Sequence, residues 1–70
     1  MPWNPAALQR LRDKHGLSQQ ALADRVGVHR VTIARIETGG FKPSIDLLEA
    51  LAIELKIDIW DLLRKRPVVK

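Results

Sequence analysis

The segment from Gln19 to Thr38, QQALADRVGVHRVTIARIET, constrains this chain more than any other part of it. Apolar residues fall at Leu22, Val26, Val28, Ile33 and Ile36, with a small Ala23 early and Gly27 near the middle. That spacing predicts two short helices crossing steeply through a tight turn. Ala23 lets the second helix come close to the first. Gly27 supplies a positive φ, which a residue with a β-carbon resists. Leu22, Val26, Ile33 and Ile36 form an inner face, leaving His29, Arg30, Val31, Thr32, Ala34 and Arg35 on the outer face of the second helix. A protruding helix with basic and hydrogen-bonding side chains suits the DNA major groove.

The rest of the chain punctuates itself into helices around that pair. Asn4-Pro5 predicts a capped start, because proline at the first helical position loses no needed N–H. Leu8 and Leu11 repeat at helical spacing until His15-Gly16, where glycine ends the helix. Ser18 caps the second helix, which runs to about Val26; the third begins near His29 or Arg30 and stops at Gly39-Gly40. After the loop Phe41-Lys42-Pro43, Ser44 caps a fourth helix, with Asp46 near its positive end and a stripe at Leu48, Leu51, Ala52 and Leu55. Asp58 is expected to cap a short fifth helix carrying Ile59, Leu62 and Leu63, and Pro67 ends regular structure. No stretch alternates as a strand would. The expected fold is all-α, a compact five-helix domain spanning residues 1–70, with a core over about 5–64 and a basic tail at 65–70.

Seventy residues leave room for one small domain and a modest core. With no cysteine and two histidines, disulfides and thiolate metal sites are excluded and no metal is expected. No apolar run approaches the ~20 residues that span a bilayer, and the opening MPWNPAALQR does not read as a secretory leader. The net charge of +4 is unevenly placed. Residues 1–42 hold seven Lys/Arg against three Asp/Glu, whereas residues 43–70 hold five of each. The positive field therefore belongs to the half that carries the two-helix segment, as a nucleic-acid contact face requires.

Gly16-Leu17-Ser18-Gln19, Leu22-Ala23, Val26-Gly27-Val28, Thr32-Ile33, Ile36-Glu37, Gly39, Pro43-Ser44, Leu51-Ala52, Leu55 and Leu62 together resemble the Cro/repressor-type helix-turn-helix family, also called the XRE family. The match runs from about Leu8 to Leu63 and implies a lambda-repressor-like fold. By this resemblance the third helix is the recognition helix, with Arg30, Val31 and Arg35, and Thr32 beside them, at base-contacting positions. Gln19 matches a phosphate contact at the start of the second helix, where the positive helix end favours an anion. Thr38, Gly39, Gly40, Phe41 and Lys42 match a loop that lies on the DNA backbone, its two glycines exposing their amides. Arg12 and Glu37 match a partly buried ion pair whose arginine also approaches a phosphate.

The chain departs from the pattern at His29, a weaker cap than the usual serine or threonine; it is either a phosphate contact when protonated or an exposed residue without a role. Lys56 stands where glycine or asparagine is common, so its turn is expected to be strained or differently built. His15 is read as a helix-end residue. Trp3 folds back on the bundle, and Trp60 either covers the start of the fifth helix or joins a dimer interface. Because relatives pair through the loop before the fourth helix and the region of the fifth, the interface candidates are Trp60, Phe41 and Pro43.

Nothing in the chain supplies the groups for catalysis, since Ser18 and Ser44 are helix caps and no paired carboxylates or phosphate loop are present. No cofactor is expected. The function expected is a sequence-specific regulator of transcription that binds double-stranded DNA. It would act as a homodimeric repressor on a palindromic operator, in the cytoplasm of a bacterium or on a phage genome, associated with the nucleoid. The alternative is an antitoxin-like module that holds a partner protein, such as a toxin, through its RKRPVVK tail.

Overall fold

The computed structural model describes residues 4–62. Expectations placed on Trp3, on Leu63 and on the basic segment 64–70 lie outside the described residues. Four α-helices follow in order: α1 (Pro5–Lys14), α2 (Gln19–Val26), α3 (Arg30–Thr38) and α4 (Ile45–Glu54). The expected short fifth helix is a 3-10 helix, Ile59–Leu62, so among the described residues the five-helix expectation is corrected to four α-helices and one 3-10 turn. Its side-chain bond also differs from the expected cap. Asp61 Oδ2 accepts from the Asp58 N–H at 3.2 Å, so the carboxylate three residues on reaches back to the start.

The helix starts follow the sequence at two positions and depart from it at two. Ser18 Oγ accepts from the Ala21 N–H at 3.0 Å, and Ser44 Oγ from the Leu47 N–H at 3.2 Å. Neither Asn4 nor His29 makes a side-chain cap bond. Asn4 is held by its backbone instead: its N–H donates to Leu62 O at 3.1 Å, tying the beginning of α1 to the end of the described chain.

All four helices stop in the same way. A left-handed residue follows each one, and the next N–H reaches back five residues to an otherwise unpaired carbonyl. Leu17 N–H thus bonds Arg12 O, Val28 bonds Ala23, Gly40 bonds Arg35 and Ile57 bonds Ala52, at 2.9–3.1 Å. Gly27 meets the demand at the α2–α3 turn with φ 75°. Lys56 meets it after α4 with φ 55°, where a β-carbon crowds the backbone.

The core is built from Leu8, Leu22, Ala23, Ile33, Ile36, Leu48, Leu51, Ala52, Leu55 and Leu62. Every helix contributes, including the 3-10 helix. α3 packs on α1 and α2, and α4 packs on α2 and the 3-10 helix. The inner faces of α1 and α2 thus support α3 from behind, and α4 closes the core on the far side of α2. No described helix is long and apolar enough to cross a membrane.

Lys56→Gly is expected to raise stability by roughly 0.5–1 kcal/mol, because glycine adopts the left-handed turn without the penalty. A thermal melt should show an increase of several degrees in a chain of this size; an unchanged or lower Tm would show that the turn carries no strain.

Candidate nucleic-acid interface

The outward surface of α3 is narrower than the sequence suggests. At ~100° per residue, the buried pair Ile33 and Ile36 defines the inner side. Arg30, Val31, Arg35 and Thr38 are exposed, while Thr32 and Ala34 are half-buried at the margins. Of the four expected base-contacting residues, Arg30, Val31 and Arg35 are exposed and Thr32 sits at the margin. Val31 is 52% exposed.

Behind this surface lies a polar cluster that joins three helices. Arg12 on α1 is 9% exposed. Its Nε donates to Glu37 Oε2 at 2.6 Å and its Nη2 to Glu37 Oε1 at 3.3 Å, a two-pronged pair that fixes the plane of the guanidinium. Nη1 donates to Leu17 O at 2.7 Å and lies 3.4 Å from Asp13 Oδ1. The hydrogen bond to Glu37 raises the Arg12 pKa above its already high value, against the opposing effect of burial. Arg12 is therefore charged at every pH at which the fold exists. Its donors point inward, leaving it little surface for a phosphate.

Gln19 extends the cluster to the front, a link that the sequence reading missed. Its Nε2 donates to Glu37 Oε1 at 2.9 Å, and its Oε1 accepts from Arg30 Nη1 at 3.5 Å. A glutamine at a helix start gives no sequence signal of such a bridge, since its partner lies eighteen residues away. The side chain read as a phosphate contact is thus already bonded to α3.

The loop after α3 also corrects an expectation. The Gly39 N–H donates to Ile36 O at 3.2 Å and the Gly40 N–H to Arg35 O at 2.9 Å, so both glycine amides turn inward. The physical reason is the need of the last turn of α3 to satisfy its carbonyls. Thr38 Oγ1 likewise donates to Arg35 O at 3.1 Å. Phe41 and Lys42 are exposed beyond them, and His29 is exposed at the opposite end of α3. Among the dimer candidates, Phe41 is 44% exposed, Trp60 is half-buried against the core and Pro43 is buried within the chain. Ile45 and Ile53 on α4 are exposed apolar residues that the sequence reading did not single out. Among the described residues no group of histidines and carboxylates could hold a metal ion.

The fold as a whole matches known proteins. Residues 8–59 match the helix-turn-helix family model HTH_3. An "Uncharacterized HTH-type transcriptional regulator" of Archaeoglobus fulgidus is 38% identical over 55 residues, 79% of each chain. The P22 c2 repressor, solved in complex with a synthetic operator, superposes with a TM-score of 0.82 at 30% identity, covering 86% of this chain and 91% of that one. SinR, the master regulator for biofilm formation, solved in complex with DNA, gives 0.81 at 28% identity over 86% of this chain and 100% of that one. This chain belongs to the XRE-type helix-turn-helix family.

Removing one partner of a buried pair strands the other charge. Glu37→Ala is therefore expected to cost about 3 kcal/mol of unfolding free energy, read from urea denaturation. The double variant Arg12→Met/Glu37→Leu should recover most of that loss, because no charge is left without a partner. Wild-type stability in Glu37→Ala would show that the pair contributes nothing to the fold.

Proposed function

We propose that this protein is a transcriptional regulator that reads double-stranded DNA by placing α3 in the major groove. One observation carries this most directly: the exposed row Arg30, Val31 and Arg35 projects from a helix braced on its other side by Glu37 and Arg12. An exposed arginine has the fork that guanine O6 and N7 accept, and an exposed valine matches a thymine methyl. Lys42 beside the end of α3 and the open N-terminal turn of α2 supply flanking backbone contacts. SinR, solved in complex with DNA, and the P22 c2 repressor, solved in complex with a synthetic operator, support the same use of this fold.

Nine residues of recognition helix offer few base contacts. A second copy on a palindrome would repeat them ~34 Å away in the next major groove and raise affinity without new chemistry. Phe41 and Ile45, exposed around the start of α4, are the apolar residues best placed to contribute to such a dimer. Trp60 would add only the part of its ring that the core leaves free, and Pro43 would act by shaping the loop. Occupying a promoter in this way makes repression the simplest output.

Selection of binding sites from random duplexes tests the whole proposal, and enrichment of an inverted repeat is the expected result. On that site Arg35→Ala should lose about 1–3 kcal/mol of binding and relax the preference at one base pair. Lys42→Ala should weaken all duplexes alike and reduce the salt slope by about one. No enrichment, with binding indifferent to salt, would contradict the proposal.

A further inference from the structure

Val31 is the one large apolar side chain that α3 exposes. It lies almost opposite the midpoint of Ile33 and Ile36, on the crest of the helix and not at its edge. Its position is unexplained by folding, since the core is closed without it. Arg35 stands one turn along the same face, with a β-carbon separation of ~5–6 Å, and its side chain is exposed. The Thr38 hydroxyl, also on this side, is already donating to Arg35 O.

An apolar side chain in the major groove meets one apolar group, the methyl on C5 of a pyrimidine. Thymine carries it, uracil does not, and cytosine carries it only after methylation. Building on the DNA binding proposed above, we infer that Val31 reads the 5-methyl group itself, so that 5-methylcytosine replaces thymine beneath Val31 and cytosine methylation tightens binding. Valine forms no hydrogen bond and does not distinguish thymine O4 from the cytosine N4 amino group. Its branched methyls, stiff at χ1, present a fixed apolar surface. Arg35 on the same face brings a guanine-seeking fork close to it. The favoured feature is a 5-methylpyrimidine near a guanine, which a methylated CG step provides as well as a TG step.

The full chain, titrated onto its selected duplex by fluorescence anisotropy, tests this. Each thymine of the site is replaced in turn by uracil. At the position most affected, a cytosine–guanine pair is then compared with and without the 5-methyl group. Two ratios result, thymine over uracil and 5-methylcytosine over cytosine, and each isolates one methyl. Each ratio is expected to be about fourfold, the worth of one buried methyl group, and to fall to about one in Val31→Ala. Alanine is a strong helix former at an exposed site, and a melting curve verifies that this variant is folded. Ratios of one throughout, with specific binding intact, overturn the inference and leave the DNA-binding proposal standing. Ratios that persist in Val31→Ala overturn the role of Val31. Failure to bind any duplex specifically overturns both.

Discussion

The contact between Arg12 and Glu37 organises this molecule. Their charges are largely withdrawn from water, with side-chain exposures of 11% and 5%, in a chain whose core is small. Desolvation of two ions offsets most of their attraction, so the pair is poor evidence for net stability. Its consequence is geometric. The guanidinium holds Glu37 through two nitrogens and the Leu17 carbonyl through a third. α1, the approach to α2 and the last turn of α3 are thereby fixed to one planar group. A hydrophobic contact among Leu8, Ile33 and Ile36 would tolerate sliding, whereas these directional bonds do not.

That bracing makes the outward row of α3 a shaped surface. Gln19 carries the restraint forward, since the same carboxylate that receives Arg12 also receives its amide. The amide oxygen then faces Arg30. A buried pair is thus connected through one neutral side chain to an exposed arginine at the start of α3. The repeated helix endings serve the same purpose. They spend the carbonyls at each stop, and at Gly39-Gly40 they turn the loop backbone inward, so side chains dominate what α3 and its loop present outward.

Much of this was legible in the sequence because local chemistry and helical period coincide. Ser18 and Ser44 cap as their type predicts, Gly27 adopts the left-handed turn, and Leu48, Leu51, Ala52 and Leu55 are buried as their spacing requires. The departures share a physical cause, competition from groups distant in sequence. Asn4 is engaged through its backbone by Leu62, and Gln19 through its side chain by Glu37. Burial of Pro43 and exposure of Ile53 likewise depend on how the loop and α4 lie on the core, which no local pattern encodes. Lys56 lay between these cases: the sequence marked it as an unsuitable residue for its turn, and the backbone adopts the costly conformation regardless.

The central claim is that α3, held from behind by Glu37 and Arg12, meets DNA with its outward row. Backbone amide shifts followed by NMR as the selected duplex is added test it most directly. The account predicts that the largest changes fall at the start of α2, along Arg30–Thr38 and at Phe41 and Lys42, with Glu49 and Ile53 on α4 little affected. Changes concentrated on α4 and the 3-10 helix, with α3 silent, would contradict it.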